Sequence, residues 1–278
     1  RPLLMWSVGT NLRSCFERDS TLQRLKIIVS VDFILLGSAV ILGNWLGLVQ
    51  YGHLLFSFSP GTDGSLFNYL ELADALALCS LLLMGCHARK PVAQTAVLMV
   101  STVLLIFAYS RTSLFLFILC SGVYILSHAG RSAGARVTLT LFLVTALFAS
   151  ILAAKSLAGP SALPVVERMF ALLVRPAGDP SLQSRALMSR QGLSSVAKHA
   201  ILGRYIDEWW MASIVGGYAH NWLSFLISYG IGPFALFGWL AARRCHHEIR
   251  AISDGGNPLF LVLLVFGLSA VAVSRLYV

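Results

Sequence analysis

The chain has 278 residues, 57% of them hydrophobic and only 12% charged, with a formal net charge of +9 and a mean hydropathy of +0.76. These values exclude an ordinary soluble domain of this length. Apolar runs of about 17 to 25 residues exclude a membrane β-barrel, whose segments alternate over about ten, so the expectation is an all-α, polytopic helical membrane protein.

The opening stretch, Arg1 to Phe16, reads as the tail of a preceding helix or loop. No cleavable signal peptide is visible, residue 1 is Arg, and the chain stops at Val278 just after an apolar run, so a longer parent chain is expected. A first span over 27–49 follows Arg13, Arg18, Arg24 and Lys26, which the positive-inside rule places in the cytoplasm. The loop from Gln50 to Tyr69 has no Lys or Arg and turns at Pro60-Gly61, as an external loop should. A second span over 70–87 returns to Arg89 and Lys90, and a third over 91–108 leads out to Tyr109, Ser110, Arg111 and Thr112.

The fourth span, 113–127, ends in the stretch His128 to Arg136, and the fifth, 137–157, leads to a long external loop. A sixth over 219–241 returns to Arg243, Arg244 and Arg250, and a seventh covers 257–273. Every short basic loop then falls on one side of the membrane. About seven transmembrane helices thus divide into an N-terminal part (1–157), the external loop (158–218) and two C-terminal helices (219–278), all in one integral membrane domain.

The long loop is basic on the outer side, with Arg168, Arg175, Arg185, Arg190, Lys198 and Arg204. An anionic ligand outside the membrane would supply a reason. Asp179-Pro180 is a helix-start signal, a side-chain cap followed by proline at the first helical position. It predicts a helix over 180–198 along the membrane surface, with Leu182, Ala186, Leu187, Leu193 and Ala197 as its apolar stripe and Arg185 and Ser189 on another face.

The remaining charges are dispersed in short clusters, which suits membrane orientation and not nucleic acid. The five cysteines, Cys15, Cys79, Cys86, Cys120 and Cys245, have no pairing or metal-ligand spacing, and His246-His247 has no carboxylate or cysteine at ligand spacing beyond adjacent Cys245. No disulfide framework and no metal site are expected.

His220 and Asn221 open the sixth span, where an unpaired polar side chain near lipid is costly, so they are expected to face a wet, protein-lined cavity. Taken singly, Arg111 reads as a snorkelling arginine, Arg185 as a solvated charge, His220 as an interfacial histidine and Asn221 as a helix-mouth cap. Taken together, two arginines and a histidine on the outer face form a charge clamp beside a titratable base, which suits group transfer from a pyrophosphate leaving group. Glu71 and Asp74 share a helix face near the outer end of the second span, where they either pair with Arg111 or Arg185 or supply the base in place of His220. Asp32, deep in the first span, reads as a structural partner for another helix. Gly230, Gly232 and Pro233 interrupt the sixth span, either as a packing kink or as a bend that opens a groove below His220.

Ser110-Arg111 between two spans, then Arg185 and His199 to Gly203 in a large loop, then His220-Asn221 at the start of the next helix, resemble the O-antigen polymerase and ligase superfamily of bacterial envelope glycosyltransferases. The match in order and topology covers residues from about 90 to 240; Ala200 stands where that family often has proline. The resemblance implies an inner-membrane enzyme whose active site faces the periplasm. It would transfer glycan from an undecaprenyl-pyrophosphate-linked oligosaccharide to an acceptor sugar hydroxyl on a glycan or glycolipid, without metal or other cofactor. It assigns Arg111 and Arg185 to the pyrophosphate and His220 to the acceptor hydroxyl, with Ser110, Asn221, Glu71 and Asp74 supporting. GGYAHNWLSFLISYGIGPFALF is more similar to Wzy-type repeat-unit polymerases, which imply a chain-length regulator as partner, than to lipid A core ligases. A lipid-linked oligosaccharide flippase is the alternative from another class.

Overall fold

The computed structural model describes residues 19–46, 49–50, 53–54, 69–88, 90–128, 144, 190, 192–194, 196–204, 222–254 and 257–273. Among these the fold is helical, apart from turns and one short ladder, in which β1 (Val49–Gln50) pairs antiparallel with β2 (His53–Leu54). The chain forms two compact units, residues 1–166 and 167–278, so the division falls inside the expected external loop.

The first unit contains α1 (Asp19–Trp45), α2 (Tyr69–Cys86), α3 (Pro91–Phe107) and α4 (Arg111–His128). The second and third expected spans coincide with α2 and α3 to within a residue, because a short polar turn separates the two apolar runs and another follows α3. Proline opens α3 at its first position, where a missing N–H leaves no bond unmade. The first expected span lies earlier, since the flank carrying Arg24 and Lys26 is already helical; both residue types are good helix formers.

Helix α2 packs against α1, α3 and α4. Leu76, Leu81 and Met84 are buried along it, and fully buried Ala73 and Ala77 allow close helix approach. Two buried hydroxyls are satisfied on their own helices, Ser80 Oγ donating to Leu76 O (2.6 Å) and Thr102 Oγ1 to Leu98 O (2.8 Å). Short connections make α2, α3 and α4 successively antiparallel, and hydrogen bonds from Asn44 bring the end of α1 to the α3–α4 turn. One end of the bundle therefore gathers the end of α1, the start of α2, the end of α3 and the start of α4. Arg24, Lys26 and Lys90 belong to the opposite end.

Among the described residues, Thr21–Trp45 is the helix long and apolar enough to cross a membrane, and only 17% of its most apolar window is buried. Ile27, Ile34, Leu35, Ile41 and Trp45 are left exposed. In water so large an apolar face would be a liability, whereas lipid accepts it. The helices α2 to α4 contain shorter apolar stretches. The fifth expected span lies outside the described residues, apart from residue 144, which is helical.

The second unit contains α5 (Trp222–Tyr229), α6 (Ile231–Ser253) and α7 (Leu259–Val273). The sixth expected span, 219–241, is thus not one continuous helix. It breaks at Gly230 alone, whose φ is 77°; Gly232 and Pro233 fall in the first turn of α6, where proline is tolerated. Helix α6 then runs on past Arg243 and Arg244 to Ser253. There Arg243 stacks over Trp239 at 5.5 Å, and Arg244 pairs at 2.7 Å with Glu248, which is 1% exposed. Asn257 Oδ1 accepts the Leu259 N–H at 3.0 Å and so starts α7.

Candidate functional site

The gathered end of the first unit carries a connected set of polar side chains built on the α3–α4 turn. Ser110 is 1% exposed and precedes α4 as its cap, its carbonyl accepting the Leu114 N–H at 3.0 Å and its Oγ the Ser113 N–H at 3.4 Å. Ser113 Oγ donates to Asp74 Oδ1 at 2.6 Å. A hydroxyl has one proton, so across the 2.7 Å Ser110–Ser113 contact it is Ser110 that donates. The result is a directed chain, Ser110 to Ser113 to the Asp74 carboxylate. Arg111 lies beside it as the first residue of α4, partly buried.

On the other side of the turn, Tyr109 has φ 57°, a left-handed conformation unusual for a residue with a bulky side chain. Its phenol donates to Asn44 Oδ1 at 2.7 Å, while Asn44 Nδ2 donates to Val40 O (2.8 Å) and Phe107 O (3.0 Å). Asn44 thus closes the exposed carbonyl at the end of α3 from a different helix. Burial pushes the Tyr109 phenol above its ordinary value, which keeps it a proton donor at physiological pH.

Electrostatically, Arg111 sits at the positive end of the α4 dipole, and the first turn of α4 contains no acidic residue. Asp74, an acid of this region, comes from α2. The start of α4 and the Arg111 guanidinium together favour an anion there.

The second unit contains a different kind of junction. Residues 192–194 and 196–199, which precede α5 in the chain, are helical, with Val196 packed on the core pair Leu223 and Ile227 of α5. A Cβ on Gly192 would lie 2.8 Å from Leu223 Cδ2, so the close approach there needs glycine or a shifted leucine. This segment packs on that pair through Gly192 and Val196, while Leu193 and Ala197, from the stripe expected to lie along the membrane surface, are exposed. The smaller pair permits the closer approach.

The segment ends on the break of the sixth span. In an unbroken helix the Ile231 N–H would bond Ile227 O; here it donates to Ala200 O (2.9 Å), and Ile227 O accepts instead from the Arg204 N–H (2.7 Å). These two backbone groups released by the break are therefore taken up by Ala200 and Arg204. Gly203, φ 67°, lies against Ser228 and Gly230, and a Cβ at either Gly203 or Gly230 would strike backbone. The stretch His199 to Gly203 is thus the docking turn of the loop, closed by the Gly203 N–H bonding His199 O at 2.9 Å.

Of the residues singled out from sequence, Ser110, Arg111 and Asp74 come together at one end of the first unit. Glu71 is on α2 one turn before Asp74, but its side chain, together with Arg185, His220 and Asn221, lies outside the described residues. Asp32 is exposed midway along α1. Sequence reasoning missed Ser113, whose spacing three residues after Ser110 is a capping signal, and Asn44 and Tyr109, whose long-range contact leaves no local pattern. Among the described residues, no group of three His, Cys, Asp or Glu side chains could hold a metal ion. Comparison with protein-family models, with curated proteins and with solved structures finds no match.

Proposed function

We propose that the protein is a bacterial inner-membrane glycosyltransferase of the O-antigen polymerase and ligase type. In this reading it moves glycan from an undecaprenyl-pyrophosphate-linked oligosaccharide to an acceptor sugar hydroxyl at the periplasmic face. The observation that carries it is the Arg111 corner: a guanidinium at the start of α4, beside the Ser110–Ser113–Asp74 chain, at the end of the bundle remote from Arg24, Lys26 and Lys90. Basic residues mark the cytoplasmic side, which supports an outward-facing Arg111 end in this reading. The exposed apolar face of α1 supports a membrane setting, and about seven transmembrane helices belong to this reading.

Arg111 and Arg185 then hold the pyrophosphate and offset the charge that grows as it leaves. His220 takes the proton of the attacking hydroxyl, the new C–O bond forms at the anomeric carbon, and the lipid pyrophosphate departs with the old bond's electrons. Asp74 is engaged by Ser113, which favours an ordering role for it and leaves the base to His220. Asn221 steadies the helix mouth, and Glu71 belongs to the same outer end as Asp74.

A repeat-unit polymerase is the form of this activity that the segment around His220 favours. The test uses the full-length protein in liposomes with one purified undecaprenyl-pyrophosphate oligosaccharide, beside a His220→Ala variant. A ladder of products, lost in the variant, supports the polymerase. Product formed only after lipid A core is added makes the protein a ligase. Silence in both, with movement of the lipid-linked oligosaccharide across the bilayer, replaces the enzyme with a flippase.

A further inference from the structure

We propose that Asn44 and Tyr109 are positioning residues, a side-chain lock that aims Arg111 by holding the α3–α4 turn in a single conformation. The inference rests on the reading of Arg111 as a pyrophosphate ligand and adds two residues that act through it. Glycine or asparagine would reach φ 57° with less strain than tyrosine. Tyrosine at this position therefore needs something that holds it, and its phenol bond to Asn44 Oδ1 does so.

Asn44 is held in turn. Its carbonyl oxygen accepts from the phenol and its amide donates to Val40 O and Phe107 O, so a flipped amide would lose both carbonyl bonds and reverse the one to the phenol. The lock thus ties the last turn of α1, the last turn of α3 and the connecting turn into one body. Ser110 follows directly, buried and bonded to Ser113, and Arg111 comes next. Backbone rotation at Tyr109 has no slack residue in which to dissipate before it reaches the guanidinium. Since a misplacement of about 1 Å in a positioned group can reduce rate by about a hundredfold, such a lock has catalytic consequences although neither residue touches the substrate.

The decisive experiment compares donor kinetics of the full-length protein in liposomes with those of Tyr109→Phe, Arg111→Lys and the double variant, using the undecaprenyl-pyrophosphate oligosaccharide. Tyr109→Phe is expected to lower kcat/KM about tenfold, mainly through KM for the donor, yet by less than about twofold once Arg111 is Lys. An equal loss in both backgrounds would make the lock merely structural and overturn the proposal. A second arm is independent of activity. In an Arg111→Cys chain, alkylation at that peptide by a membrane-impermeant maleimide is expected to change at least about threefold when Asn44 becomes Asp or Ala, and an unchanged rate overturns the lock. Absence of transfer by the unaltered protein would sink the glycosyltransferase reading, while the alkylation arm still decides whether Asn44 orients residue 111.

Discussion

The α3–α4 turn and the Gly203–Gly230 junction solve the same problem with opposite means. Each must hold the chain in a left-handed conformation next to a helix end and satisfy the backbone groups that the helix leaves open. At the turn the holding is done by side chains: Tyr109 is bulky, and Asn44 reaches across from α1 to bond both it and the Phe107 carbonyl. At the junction side chains are excluded, and two backbones exchange hydrogen bonds through a gap that only glycine leaves open. A side-chain lock can be weakened by degrees, one bond at a time. A backbone lock is expected to fail as a whole.

That difference fixes the order of expected effects, beginning with Gly230→Ala. The added Cβ would strike the Ile201 carbonyl at a position whose φ is 77°, so the junction must open. Backbone strain of about 1–3 kcal/mol in a conformation that is essentially glycine-only and two lost bonds of about 1 kcal/mol each place the destabilisation of the second unit near 3 kcal/mol or above. Gly203→Ala should behave alike, since its Cβ would lie 2.7 Å from Ser228 O. The control is Gly232→Ala, two residues along, where a Cβ meets nothing within 4 Å; it should be neutral or stabilising by about 0.5 kcal/mol. Thermal unfolding of the three purified variants checks the series, and similar midpoints for Gly230→Ala and Gly232→Ala would remove the backbone lock.

Next in size is Asn44→Ala, which strands the Phe107 carbonyl and the Tyr109 phenol. Because Asn44 is only partly buried, water can reach some of what it leaves, and a loss of about 1–2 kcal/mol in the first unit is expected. Ser113→Ala comes below it, near 1 kcal/mol, since Asp74 then loses one donor and Ser110 its acceptor. Both variants should leave the second unit's protease resistance unchanged, which limited proteolysis can follow separately from the first unit's. A matching loss in the second unit would mean that the two locks are not independent.

What could be read from the chain beforehand divides along the same line. The end of α2 and both ends of α3 were legible because their apolar runs stop at short polar turns. Ser110, Arg111 and Asp74 were legible as polar residues at one side of an alternating topology. The interruption at Gly230 was visible too, but its partner was not: Gly203 meets it through backbone atoms, and such contacts write no side-chain pattern into a sequence. Gly192 was hidden in a similar way, since a glycine that permits close approach to Leu223 and Ile227 adds nothing to a hydrophobic pattern. The Asn44–Tyr109 pair was hidden differently, as two ordinary residues whose distance along the chain carries no periodicity.

The smallest expected effect separates the two locks by pH. Burial raises the Tyr109 phenol above its ordinary value of about 10, so the folded first unit holds that proton more tightly than the unfolded chain does. Below pH about 10 both states are protonated at this residue and the lock contributes in full; as pH rises from there through the folded value, unfolding releases a proton and stability falls. Other groups titrate in the same range, so the informative quantity is the stability of the unaltered protein minus that of Tyr109→Phe. This difference should be flat at neutral pH and shrink on the alkaline side. The corresponding difference between the unaltered protein and Gly203→Ala should show no such decline, because the bonds at that junction join backbone groups that do not titrate. A Tyr109 advantage that persists undiminished well above pH about 10 would mean that the phenol is not the donor to Asn44, and the turn would then owe its conformation to packing alone.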